Sequence, residues 1–100
     1  MTDATEALLA ERGKTHGEYS DHARVTQAIK AVMVVSPNWA KLSEIQKETL
    51  EMNAHKVGRI LSGDPDHLDH WDDIAGYAKL VSIRLRQDQE RKDQSWAQAA

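Results

Sequence analysis

The stretch DHLDHWDDIAGYAKLVSIRLR, residues 66–86, decides the fold of this chain. Its apolar residues recur at steps of three and four, which is the period of an α-helix. We therefore predict a long helix with Asp66 as its N-cap. One stripe of that helix is expected to pack against the rest of the domain. The residues of this stripe are Trp71, Ile74, Ala78, Val81 and Leu85.

The opposite side of this helix is not simply polar. At about 100° per residue it carries two carboxylates, Asp69 and Asp73, and then Gly76, Leu80 and Ile83. A glycine inside a helix costs about 1 kcal/mol relative to alanine, so we expect it to allow the close approach of another backbone or of a ligand. Gly76, Leu80 and Ile83 are therefore predicted to form the contact of a homo-oligomer.

Helix signals also divide the preceding part of the chain. Gly13 and Gly63 are predicted C-caps, and Pro37 forces a break because the residue before proline leaves the helical region. Ser43 and Gln46 have the spacing of a capping box. The predicted helices cover residues 3–12, 18–35 and 43–62. The fold class is thus all-α: a short N-terminal helix and three longer helices in a bundle, with no strand.

Composition limits the class of protein. A chain of 100 residues makes one small domain with a thin core, which we expect oligomerisation to complete. We assign residues 1–88 to the domain and residues 89–100 to a polar tail that is either a fraying helix end or disordered. The net charge of -3 argues against general nucleic-acid binding. The longest apolar run, residues 31–35, is too short to span a membrane, so a cytoplasmic protein is predicted.

The loop from Arg12 to Tyr19 has a composition that suits an anion. It holds two glycines, two basic residues and a hydroxyl just before a helix N-terminus. It does not have the P-loop spacing, so a plain interhelical turn is the alternative. Lys14, Thr15, His16 and Tyr19 are the candidate ligand-binding residues of this loop.

A second group of candidates lies on the two long C-terminal helices. Lys56 and Arg59 can face Asp69 and Asp73, or they can bind a phosphate; the alternative is a set of weak intrahelical pairs. The two aspartates can hold a metal or a basic side chain, or they can form a solvated acidic first turn. Tyr77 completes the predicted nucleotide-binding set.

The histidines allow a further interpretation. His67 and His70 are three residues apart and can share a zinc ion with a carboxylate, although no HExxH-type spacing is present. His22 lies on an apolar helix face and is predicted to be a satisfied core histidine.

Three segments carry a family resemblance. ERGKTHGEYSDHARVTQAIK, LEMNAHKVGRILSGD and HWDDIAGYAKL, within residues 9–85, resemble a phage and prophage family of unknown function. The last segment also resembles the second metal helix of the MazG-like all-alpha nucleotide pyrophosphatases. The resemblance places Asp73 at the family's metal aspartate and Asp69 or His70 at the preceding acidic position, and it implies the cytoplasm of an infected bacterium.

The chain departs from that pattern in its first metal helix. Where the family carries ExxE, this chain has Lys56 and Arg59, and its own ExxE, Glu48 and Glu51, lies about two turns earlier. A magnesium site would therefore require Glu48 and Glu51 together with Asp69 and Asp73.

Three functions follow as hypotheses. The first is a phage-type nucleotide-binding accessory protein on a MazG-like scaffold, which sequesters a nucleotide or a nucleotide defence signal with little or no catalysis and needs no cofactor. The second is a magnesium-dependent nucleotide pyrophosphatase. The third is a protein–protein inhibitor of a host defence complex.

Overall fold

The computed structural model describes residues 3–99, and its helices follow the predicted order. Within that range the chain contains helices and no strand, so the all-α class is confirmed. The ends of the predicted domain and tail, Met1, Thr2 and Ala100, lie outside the described residues. The helices are α1 (Ala4–His16), α2 (Tyr19–Val34), a 3-10 turn (Trp39–Lys41), α3 (Glu44–Ser62) and α4 (Leu68–Ala99).

Reciprocal capping fixes the start of α3, as predicted. The Gln46 backbone N–H donates to Ser43 Oγ at 3.1 Å, and the Ser43 N–H donates to Gln46 Oε1 at 2.9 Å. At the other end the Gly63 N–H donates to the Arg59 carbonyl at 2.8 Å, which confirms Gly63 as the C-cap. Asp3 and Glu6 form a second capping box at the start of α1.

The predicted end of α1 at Gly13 is wrong. The helix runs on through His16, and Gly17 is its C-cap, with φ of 84°. A Cβ on Gly17 would collide with the Ser62 backbone, and one on Gly63 would collide with the Thr15 carbonyl. The tight crossing of these two helix ends requires glycine, and it is this tertiary contact that sets the boundary.

The predicted N-cap of α4 is also wrong, because α4 begins at Leu68 rather than directly after Asp66. The side chain of Asp64 accepts a hydrogen bond from the Asp66 N–H at 2.9 Å, and the Asp64 carbonyl accepts from the His67 N–H at 3.3 Å. Asp64 thus forms the turn before the helix, a frequent role of this residue type. At its other end α4 continues through Ala99.

The packing of the bundle places α3 at the centre. Helices α2 and α4 pack along it on two sides, and α1 crosses near the ends of α2 and α3. In residues 3–99 no helix is long and apolar enough to cross a membrane.

The interior is polar, which corrects the predicted core stripe of α4. Among the residues whose burial the structure describes, the buried side chains are His22, Thr26, His70 and Ala54, of which Ala54 alone is apolar. Trp71 and Leu85 of the predicted stripe are about half exposed. The face of α4 that turns inward is rotated from that stripe by about 50° at 100° per residue. It contains His70, Ile74, Tyr77 and Val81.

On helix α3, Ala54 is buried and the polar side chains of His55 and Arg59 are partly buried, whereas Leu50 and Leu61 are exposed. Sequence periodicity favours the interpretation that the apolar stripe is the core. Apolar side chains, however, can equally be covered by a second subunit, and polar ones can be held inside for a ligand.

We expect the outer face of α4 to be covered in solution by a second copy, and Gly76→Leu should shift the protein toward monomer. A Cβ on Gly76 has nothing within 4 Å in its own chain, and Leu80 is 61% exposed. A bulky side chain there would therefore leave the single subunit intact and block only a close neighbour. Sedimentation velocity at micromolar concentration measures the shift, with Ala75→Leu, about 100° away on the same exposed helix, as the matched control. A monomeric unmutated protein would contradict the prediction.

Candidate functional site

A groove opens where α1 ends, α2 begins and α3 passes beneath them. Its volume is about 760 Å³, within the range of roughly 300–1,000 Å³ that small-molecule sites occupy. Four of the predicted ligand-binding residues line it: Lys14, His16, Tyr19 and Arg59. The structure thus brings the glycine-containing loop and Arg59 of α3 to one place.

The groove is electropositive. Arg12, Lys14 and Arg59 bring three permanent cations to its walls, and Glu18 brings one carboxylate. Arg59 forms no ion pair within residues 3–99, and its buried Nε has no hydrogen-bond partner there. A guanidinium presents five donors in a fixed fork that matches phosphate or carboxylate. The groove therefore contains an unused anion-binding group at its inner wall.

Two histidine rings line the groove together with Arg59. His22 of α2 and His55 of α3 lie with ring centroids 4.4 Å apart, and the ring of Tyr19 is 6.4 Å from that of His22. His22 is buried, as predicted from its apolar helix face. It faces the groove as well, so its position is not that of a purely structural core residue.

A second histidine cluster connects the groove to the start of α4. His16 Nδ1 is 3.4 Å from His70 Nε2, and the His67 ring centroid is 4.6 Å from that of His70. His70 is the largest fully buried side chain among the described residues, and it is hydrogen-bonded to the Thr15 backbone. The Thr15 carbonyl also accepts from the Asp64 N–H at 2.9 Å, so Thr15 acts here through its backbone.

Burial keeps these imidazoles neutral. Desolvation is the main cause that lowers the pKa of His16 to about 4 and that of His55 to about 4, and the positive charge of Arg59 lowers both further. The same two causes lower the pKa of His22, and burial lowers that of His70. At neutral pH the histidine rings of the groove are therefore uncharged, and they can accept a proton when an anion binds next to them.

We expect the unfolding free energy to fall by about 2 kcal/mol between pH 7 and pH 5, after allowance for partial solvent exposure of the rings. Below pH 6.5 the unfolded chain binds protons at His16 and His55, while the folded chain does not until about pH 4. Protonation therefore favours the unfolded state throughout this window. Urea denaturation at fixed protein concentration measures the change, and a doubly substituted His16→Gln, His55→Gln chain should show a flatter profile. An unchanged midpoint from pH 7 to pH 5 would contradict the lowered pKa values.

Beside the groove, α3 and α4 are joined by one close ion pair. Lys56 Nζ lies 2.8 Å from Asp73 Oδ2, and the Lys56 side chain is only 12% exposed. The hydrogen bond from Lys56 lowers the pKa of Asp73, which keeps the carboxylate charged. The sequence allows Asp73 to hold a metal, to pair with a basic side chain or to be solvated. In the structure it pairs with a basic side chain, that of Lys56.

The remaining candidates lie apart from the groove. Asp69 is exposed, with its nearest basic group, His67 Nε2, 3.8 Å away, and Tyr77 lies on the inner face of α4 without lining the groove. Glu48 and Glu51 lie one turn apart on α3, on the N-terminal side of Lys56. In the part of the chain that the structure describes, no group of three or more carboxylate, imidazole or thiol side chains is placed so that it could hold a metal ion.

The candidate ligand-binding residues leave out four charged or imidazole side chains that line the groove: Arg12, Glu18, His22 and His55. Two of these, Arg12 and Glu18, lie within the loop that the sequence predicts to suit an anion. His55 lies on α3 and His22 on α2, and only the crossing of the two helices brings their rings together. A signal was present in the steps of three and four that place His55 and Arg59 on one helix face.

Comparison with known proteins gives one match. A family model described as a domain of unknown function, DUF6378, matches residues 1–85, so it includes every residue of the groove. No curated protein and no solved structure matches the chain.

Proposed function

We propose, for a chain that belongs to the DUF6378 family, that the groove between α1, α2 and α3 binds a nucleotide or another phosphate ligand, with little or no catalysis. The observation that carries the proposal is Arg59. Its guanidinium lies at the wall of the groove with no carboxylate paired to it among the described residues, and its Nε is buried and unpartnered. Arg59 is half-buried, and a charge that is partly removed from water without a counter-ion is costly. A bound anion would supply that counter-ion.

The outer part of the groove suits the rest of a nucleotide. Tyr19 is 84% exposed at the groove edge, where its ring offers a face on which a base can stack. Lys14 and Arg12 add positive charge to the same groove. The groove thus combines an aromatic ring, on which a base can stack, with cationic groups that can bind a phosphate.

The Lys56–Asp73 pair supports binding without turnover. Two-metal phosphate chemistry requires carboxylates that are free to hold cations a few ångströms apart. Here an ammonium group lies 2.8 Å from the aspartate that the MazG-like pattern would use. We propose that this scaffold, MazG-like in its sequence pattern, is a phage-type accessory protein that sequesters a nucleotide or a nucleotide defence signal.

Arg59→Ala should weaken nucleotide binding by at least about tenfold, because a charge-assisted hydrogen bond contributes about 1.5–3 kcal/mol. Isothermal titration of a panel of nucleoside mono-, di- and triphosphates measures the loss. Arg24→Ala is the matched control, since Arg24 is exposed on α2 and pairs with Asp21 away from the groove. Equal affinities of the Arg59→Ala and unmutated proteins would show that the groove is not the binding site.

Hydrolysis distinguishes the second candidate function. With magnesium, we expect no release of pyrophosphate or nucleoside monophosphate above background. Turnover near 1 per second, typical of a slow but genuine enzyme and lost in Glu51→Gln, would instead identify the early ExxE as a metal site and the protein as a pyrophosphatase.

A further inference from the structure

We propose that the inner wall of the groove recognises a terminal phosphate, that is, a phosphomonoester end group rather than a phosphodiester, and that His55 takes up a proton when this group binds. The inference rests on the proposed function and deepens it, because it names the part of the ligand that is recognised and the protein group that responds to it.

The geometry of the donors is the first support. Nitrogen-bearing rings and a guanidinium reach the groove from three different helices: His16 from α1, His22 from α2, and His55 with Arg59 from α3. A terminal phosphate has three free oxygens and can accept hydrogen bonds from several sides at once. A phosphodiester has only two free oxygens, and its two ester groups would occupy positions that these side chains surround.

The charge balance around His55 is the second support. From α2 it faces His22 and Lys30, and on its own helix it has Arg59 and Lys56 as neighbours. Across the groove, α1 contributes Arg12, His16 and Lys14, whose ammonium group pairs with Glu11 at 3.3 Å. Among the described residues, Glu18 is the one carboxylate that lines the groove. From α4, Asp73 is already paired with Lys56.

The proton balance follows from these neighbours. Without a ligand, burial and then the charge of Arg59 hold the pKa of His55 at about 4, so the ring is neutral at pH 6. A dianion against Arg59 cancels that repulsion and favours an imidazolium beside it. One proton then moves from solvent to a ring nitrogen of His55, and no bond in the ligand is made or broken.

Two measurements test the inference. The first compares the affinities of methyl phosphate, dimethyl phosphate and adenosine monophosphate by calorimetry. The second counts the protons taken up with sulfate at pH 6, from titrations in buffers of different ionisation enthalpy. Sulfate is fully dianionic at this pH, so any proton taken up is bound by the protein.

We expect methyl phosphate to bind at least about tenfold more tightly than dimethyl phosphate, which corresponds to one charge-assisted hydrogen bond. Sulfate should bring about half a proton or more into the complex. His55→Gln should remove most of this uptake, whereas His67→Gln, a ring outside the groove, should retain it. Tighter binding of adenosine monophosphate than of methyl phosphate would assign the terminal phosphate to a nucleotide rather than to a free phosphate ester.

Dimethyl phosphate binding as tightly as methyl phosphate would overturn the inference, as would sulfate binding without proton uptake or equal uptake in His55→Gln. Nucleotide binding would survive these outcomes, so the proposed function would stand. No binding of any anion would overturn both. If His55→Gln does not fold, the unmutated protein is used instead, and the pH midpoint of the His55 ring resonances is measured with and without sulfate. An unchanged midpoint overturns the inference.

Discussion

Gly58→Ala should destabilise the protein by about 3 kcal/mol or more, an overpacking effect at the upper end of the usual range. A Cβ on Gly58 would fall on Thr26 Oγ1 and lie 2.9 Å from Cδ2 of His22. Both neighbours are buried on α2, so neither can turn away into solvent. The two helices would have to separate at their crossing, and the groove wall formed by His22 and His55 would separate with them.

Gly13→Ala is the matched control for this prediction. Gly13 also lies inside a helix, but a Cβ there has nothing within 4 Å. Alanine should therefore stabilise α1 by up to about 1 kcal/mol through its better helix propensity. Urea denaturation of the two variants measures both effects. Similar stabilities for Gly58→Ala and Gly13→Ala would show that α2 and α3 do not cross as closely as the structure places them.

The positions of the helices could be predicted because their signals are local. Ser43 with Gln46, the break at Pro37 and the cap at Gly63 act within a few residues of chain, and each is found where the sequence indicates it. Gly13 shows the limit of such signals. Two glycines four residues apart are both possible caps, and only the contact of Gly17 with Ser62 decides between them.

The orientation of the helices could not be predicted with the same success. The hydrophobic period identifies an apolar stripe, but it does not say whether that stripe faces its own domain or another molecule. On α3, Leu61 faces outward while Arg59 faces the groove. The loop residues Lys14 and His16 were found because their composition suits an anion, whereas His22 became a groove residue only through the packing of α2 on α3.

Asp73→Ala should lower the thermal unfolding midpoint by about 5 °C or more, and Asp72→Ala should change it little. Removing Asp73 leaves the Lys56 ammonium, 12% exposed, without its counter-ion, and an uncompensated charge in that setting is costly. Asp72 is exposed and about 100° away on the helix, and no ion pair involves it within residues 3–99. Differential scanning calorimetry at fixed protein concentration measures both variants.

A double substitution separates the ion pair from other roles of Asp73. If Asp73→Ala lowers the thermal unfolding midpoint because it leaves the Lys56 ammonium unpaired, adding Lys56→Met should restore much of that midpoint. An apolar pair can replace a buried ion pair at little cost. The doubly substituted protein should also keep its affinity for phosphate ligands, since neither residue lines the groove. Lys56→Met alone should then be less harmful than Asp73→Ala, since the carboxylate it leaves behind is 46% exposed and solvated. Equal midpoints for Asp72→Ala and Asp73→Ala would instead show that the contact between Lys56 and Asp73 contributes nothing to holding α3 against α4.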